Sequence, residues 1–414
     1  MPDVIERFQQ YVGINTRSCE PKPGEETKSP SSDGQVELAN LLKKDLGEIG
    51  IPEDWIIDFP DGSFLLRLPA TSPVLKQETP HLAFAAHLDT YYGASGDVKP
   101  QTFTYRGGSI VLAENAVIPE EDLTAFFGKE IITSDGTSIL GADDKAGVAA
   151  LMSLIDTISF SEEPHGALDF WFCVDEEIGK LDIKMVPAEI INSWDILWAA
   201  DGEALGRIDI GCFICRKVLV QFSGKDAHPG EYGHKLRPAQ YAALRFMNQI
   251  TSQLPEAINT RGSQGFCYIT HYEGTASNAS VTCMPRSFYQ EESDQMTLLI
   301  ENLAQANAGY YGTRVEISDD ILCLNTREAV MAKEELLRPA LDAYQHCGLE
   351  AQLGDCRGGT DGAMIIQAYP NLSAPNLGTG ARNIHMLEEF LVVEELRALP
   401  NILLEMIRGY SRTQ

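Results

Sequence analysis

The chain has 414 residues, more than a single hydrophobic core usually serves, so two domains are expected. Apolar residues make up 44% and charged residues 22%, as in ordinary water-soluble globular proteins, yet the formal net charge is -28. Such acidity repels phosphate backbones and anionic lipid, which argues against a nucleic-acid or membrane-surface partner.

The opening MPDVIERFQQYV lacks the basic and apolar regions of a signal peptide. No run approaches the ~20 apolar residues of a membrane helix. Nine cysteines, an odd number without framework spacing, point to reduced thiols and a cytoplasmic address. ERFQQYVGI reads as a helix, PKPGEETKSPSSDG as a polar loop, and QVELANLLKKDLGEIG as a second helix ending near Gly50. FLLRLPA and HLAFAAHLD read as strands, and Tyr91 to Ser134 as a long excursion with short strands. An Ala-rich helix, AGVAALMSLIDTI, precedes two buried strands, LDFWFCV and DILWAAD. This alternation predicts an α/β domain, a mostly parallel sheet flanked by helices.

After Gly211 the texture changes to the strands and helices of a smaller α+β unit. Residues 212–323 are read as an inserted domain, with 1–211 and 324–414 forming the larger one. Cys212 and Cys215 have C-x-x-C spacing, but DIGCFICRKVLVQF reads as one strand, where residues three apart face opposite sides. A redox or zinc role for this pair is therefore disfavoured.

Several strand-like runs stop at acids or histidines. HLAFAAHLDT ends in His87-Leu88-Asp89, and residues two apart on a strand share a face. Alone this pair is common. In LGADDKAG, Asp143 and Asp144 lie between a turn and an apolar helix; they fit either a helix N-cap or a buried cation site. LDFWFCV ends in Asp175-Glu176-Glu177, and DILWAAD in Asp201. His385 follows the Gly-rich NLGTGARN. In a parallel sheet these stops fall along one edge, where ligands bind. His87, Asp143, Glu177, Asp201 and His385 are donors that zinc and related ions take. With one carboxylate bridging, they would form a two-metal site able to hold a hydroxide, and a neighbouring acid is then wanted as general base.

Taken together, His87-Leu-Asp89-Thr, Leu-Gly-Ala-Asp143-Asp-Lys-Ala-Gly, Asp-Glu176-Glu177-Ile-Gly-Lys and Asp201-Gly resemble the peptidase T group of tripeptide aminopeptidases. That group belongs to a dizinc exopeptidase superfamily that also holds aminoacylase and carboxypeptidase G. Tyr105-Arg-Gly-Gly-Ser-Ile, His228-Pro-Gly, Met-Pro-Arg286-Ser-Phe, Arg357-Gly-Gly-Thr-Asp-Gly and Asn383-Ile-His385 extend the likeness over nearly the whole chain. The resemblance implies two Zn2+ per subunit, one on His87 and Asp201, one on Glu177 and His385, with Asp143 bridging. It implies Glu176 as general base and Asp89 as the group orienting His87. It further implies oxyanion stabilisation by His228 and binding of the substrate's terminal carboxylate by Arg286 and Arg357. The inserted domain would then serve dimerisation and act as a lid, in a homodimer acting on short peptides. Val174, Glu203 and Met386 depart from the family pattern, and the last two sit beside the expected site. An amidase for N-acyl amino acids with the same metals, or a non-catalytic metal- or peptide-binding relative, are the alternatives.

Overall fold

A computed structural model describes residues 2–19, 28–93, 97–161, 163–181 and 183–412. The first half of the stretch read as the polar loop PKPGEETKSPSSDG, residues 21–27, lies outside them. The chain divides into two compact units, Met1–Ile210 with Thr326–Gly354 and Thr360–Gln414, and Gly211–Asn325 with Asp355–Gly359.

In the larger unit the near-continuous apolar runs become strands buried on both faces, as parallel strands under helices must be. Leu168–Cys173, Leu82–His87, Ile196–Gly202 and Asn376–Gly378 lie side by side and parallel. Phe64–Leu68 and then Ile56–Asp58 extend one edge antiparallel, and Arg207–Cys212 joins the other side antiparallel to Asn376–Gly378. Gln352–Cys356 completes an eight-stranded sheet. The parallel sheet expected from the alternation is thus its centre, framed by antiparallel edges.

The aromatic side chains of the central strands stack across the sheet, Phe84 on Phe170 at 5.3 Å and Phe64 on Phe172 at 4.9 Å. They share one apolar cluster with Leu151 and Leu154 of the helix Ala142–Phe160 and Leu399 and Leu403 of the helix Val393–Arg412. Arg7, on the helix Val4–Val12, is 2% exposed and pairs with Asp156 at 2.8 Å, tying the first helix to the Ala-rich one. The excursion after Tyr91 supplies Gln101–Thr104 and Glu130–Thr133 to a second antiparallel sheet with Phe390–Val392 and Ala381–Arg382. This brings the segment around His385 back beside the main sheet's helices.

The smaller unit is a four-stranded antiparallel sheet in the order Phe266–Gly274, Asn278–Ser287, Ile214–Ser223, Arg314–Cys323. The helices Ala239–Gln253 and Gln290–Tyr311 pack on it through Phe246, Ile300 and Ala304 against Val218, Val220 and Phe222. The run read as one strand, DIGCFICRKVLVQF, breaks at Phe213, so Cys212 ends one strand and Cys215 lies in the next. Cys215 instead stands opposite Cys323 in the neighbouring strand, and both thiols are free. Arg357 groups with this unit and not with the larger one.

Candidate metal centre and active site

Strand register brings the candidate ligands together. Ala85 pairs with Ala199, so two residues further on His87 stands level with Asp201. His87 itself pairs with Cys173, and the Asp175-Glu176-Glu177 turn begins just beyond. The third contribution comes from the start of the Ala-rich helix, where Asp143 and Asp144 keep non-helical backbone angles.

Two groups of potential ligand atoms result, His87 with Asp143 and Asp201, and Asp143 with Glu177 and His385, each lying within 4.8 Å of one another. Asp143 belongs to both. One of its oxygens lies 2.9 Å from His87 Nε2 and the other 3.2 Å from His385 Nε2. Asp201 Oδ1 is 3.4 Å from His87 Nε2, and Glu177 Oε2 is 2.9 Å from His385 Nε2.

The two acids of the Asp-Asp pair divide between the two readings open to them in sequence. Asp144 caps the helix, accepting from Gly147 N at 3.2 Å, and also accepts from His87 N at 3.1 Å. Asp143 faces the histidines. The Asp-Glu-Glu run divides similarly. Asp175 has a left-handed backbone and points away, accepting from Ser31 N at 2.9 Å and Gln35 Nε2 at 2.9 Å. Asp89 accepts from the backbone N–H groups of Glu176 and Glu177, both at 3.1 Å, and lies 3.4 Å from His87 Nδ1. It therefore fixes both the imidazole and the acidic turn.

Glu389, four residues beyond His385, is a positioning group whose role the sequence does not show. Its carboxylate accepts from the N–H groups of Gly141, Ala142 and Asp143, at 2.7, 2.8 and 3.2 Å. It thereby clamps the turn that carries Asp143. The same holds of Lys145; fully buried, it donates to Ile14 O at 2.6 Å, and burial pushes its amine down to about 7.

The electrostatics test whether these residues suit a metal. Burial first, and then mutual repulsion, raise Asp144, Glu176 and Asp201 well above the carboxylate range. Burial raises Glu177 to about 7, with the charge of Asp143 adding to it. Burial alone would raise Asp143 too, but hydrogen bonds from His385 and His87 overcome it and hold it well below its ordinary value. Burial works against the charged form of His385, yet its bonds to Asp143 and Glu177 take it to about 11. Negative charge exceeds what two imidazoles balance. Divalent cations are the natural counter-charge for this mixed oxygen and nitrogen donor set, so the residues fit a two-metal centre.

The family profile of peptidase family M20/M25/M40 matches residues 119–409. The chain belongs to that family. As an M20-family member it is a metallopeptidase, a hydrolase of the exopeptidase kind. The chain is 32% identical to peptidase T of Geobacillus kaustophilus, over 99% of this chain and 98% of the relative. Its fold matches a tripeptidase of Staphylococcus aureus with a TM-score of 0.75 at 21% identity, covering 99% and 98% of the two chains. It also matches an aminopeptidase of Bacillus cereus with a TM-score of 0.71 at 22% identity, with the same coverage. These likenesses bear out the family resemblance and the α/β fold class read from the sequence.

The remaining candidates of this M20-family chain lie in the smaller unit. His228 is exposed, and its Nδ1 accepts from Glu231 N at 3.1 Å, which leaves the proton on Nε2 in the neutral ring. Arg286 Nη1 donates to Cys215 Sγ at 2.8 Å. Arg357 lies over the rings of Phe213 and Phe266, at 5.0 and 5.5 Å, and donates to Thr260 Oγ1 at 2.9 Å and Gln264 O at 3.1 Å. In the larger unit Glu203 is exposed as a residue, but desolvation of its carboxyl raises it, against the pull of Arg382 and Arg207. Met386 is half-exposed beside His385.

Proposed function

We propose that the chain removes the N-terminal residue from short peptides, tripeptides among them, with two zinc ions held by His87, Asp143, Glu177, Asp201 and His385. The observation that carries this reading is the sharing of Asp143 between two ligand groups beside a half-buried Glu176. When bound, such an ion pair supplies Lewis acidity, polarising the scissile carbonyl and easing deprotonation of water near neutral pH.

The chain's own residues do the rest. Glu176, a carboxyl raised by burial, takes the proton of the attacking water and returns it to the leaving amine. Asp89 holds His87 in the tautomer whose Nε2 faces Asp143. His228 offers its Nε2–H to the developing oxyanion. Arg286 and Arg357 bind the peptide's carboxylate, and Glu203 receives its free ammonium or narrows the pocket beside it. Residues 212–323 act as lid and dimerisation domain of a cytoplasmic homodimer; sedimentation in solution reports that state directly.

Turnover of a tripeptide should be compared with that of its N-acetylated form. The free peptide is expected to be cleaved and the blocked one left intact. Preference for the blocked peptide would replace this reading with an N-acyl amino acid amidase.

A further inference from the structure

The two imidazoles of the site are held in different ways. His87 is 1% exposed, and its Nδ1 is fixed by Asp89, with the backbone oxygen at 3.1 Å and the carboxylate at 3.4 Å. The side chain of His385 is 41% exposed and hangs from a left-handed backbone position, φ 64°. Among the described residues its Nδ1 has no hydrogen-bond partner of the kind that orients His87. Both of its polar contacts, to Asp143 and Glu177, run through Nε2. An imidazole anchored only through its ligating nitrogen is free to rotate about that contact, and a freely rotating ligand binds its ion more weakly.

What restrains His385 is an aromatic face. The ring of Tyr91 lies flat on the imidazole, with centroids 4.3 Å apart and planes at 6°. Tyr91 is itself confined. Tyr92 leans against it at 4.7 Å, and Gly93 leaves the room it needs: a Cβ there would come 2.3 Å from Tyr91 Cε1. Stacking of this geometry between aromatic rings stabilises beyond what buried area alone contributes. Here it also removes the rotational freedom that a hydrogen bond removes for His87.

We infer that Tyr91 is a positioning residue for His385, so that the short segment His87-Leu-Asp-Thr-Tyr91 orients both imidazoles of the centre, one by a carboxylate and one by a ring face. The inference rests on the assignment of His385 to the metal centre. It makes the ion on Glu177 and His385 the one whose affinity depends on Tyr91, and leaves the ion on His87 and Asp201 indifferent to it.

The test is a stepwise Zn2+ titration of the metal-free full chain against a competing chelator, for the parent, Tyr91→Phe, Tyr91→Ala, Gly93→Ala and His385→Ala. The parent is expected to take two ions. Tyr91→Ala and Gly93→Ala should weaken one of the two by about 10- to 100-fold, the range typical of lost support around a ligand. That ion should be the one lost in His385→Ala. Tyr91→Phe should restore parent affinity, since the phenol oxygen has no part in the stack. Melting curves of the metal-free variants separate this from unfolding, and Gly93→Ala, which keeps the tyrosine, stands in if Tyr91→Ala does not fold. Parent affinity for both ions in Tyr91→Ala and Gly93→Ala overturns the role of Tyr91. If His385→Ala still binds two ions as the parent does, the ligand assignment fails, and this inference fails with it.

Discussion

Glu176 and Glu177 are neighbours in sequence with opposite expected duties. Both take a backbone N–H to Asp89, but only Glu177 reaches His385. Glu176→Gln should therefore retain both metals and lose turnover by about 10²–10⁴-fold, the usual contribution of a positioned acid–base. Metal analysis beside peptide assays checks it; parent-rate hydrolysis would remove Glu176 from the mechanism. Glu389 has a different signature. Its ordinary value is near 4.5, and burial takes it to about 7 in the folded chain, against the pull of the Gly141 N–H. Between those values the folded state binds more protons than the unfolded one. The contribution of Glu389 to the stability of the metal-free chain therefore falls as pH rises from about 4.5 to about 7, then levels off. Urea melts of the metal-free parent and of Glu389→Gln across that window should show a slope in the first that is reduced in the second. The candidate ligands were legible because each acid or histidine ends an apolar run or follows glycines. Glu389, Asp175 and Lys145 were not, because their work is done on backbone groups more than a hundred residues away in sequence.

At the scale of elements, the site depends on how closely the Ala-rich helix approaches the sheet. Gly147 makes that possible: a Cβ there would lie 2.0 Å from Ala200 O and 2.4 Å from Asp144 Oδ1. Gly147→Ala should push the helix start away from the strand that carries Asp201. Overpacking of this kind costs about 1–3 kcal/mol. Thermal melts should show that loss, and peptide assays a fall in kcat beyond it, because Asp143 moves with the helix. A variant as stable and active as the parent would show that the close approach is dispensable. Period and apolar content revealed the long helices and the central strands. They did not reveal the break at Phe213, since Gly-Cys-Phe-Ile-Cys carries no polar turn residue after its glycine. Nor did they reveal Asn376–Gly378, three residues whose strand character comes only from its neighbours Ile196–Gly202 and Arg207–Cys212.

At the scale of the molecule, an acidic chain concentrates carboxylates at one sheet edge and sets only two histidines against them. The arrangement makes sense when cations complete it. Metal binding must then release protons, because Glu177, at about 7, has to be ionised and His385, at about 11, neutral to act as ligands. Apparent affinity should rise with pH, and calorimetry in buffers of differing ionisation enthalpy should register the released protons. The most direct test of the shared centre is the stoichiometry of Zn2+ bound to the metal-free chain, for the parent and for Asp143→Asn. Two ions per chain are expected, with both weakened together in Asp143→Asn. A single ion in the parent, or an Asp143→Asn variant that keeps either ion at parent affinity, would contradict a centre bridged by Asp143.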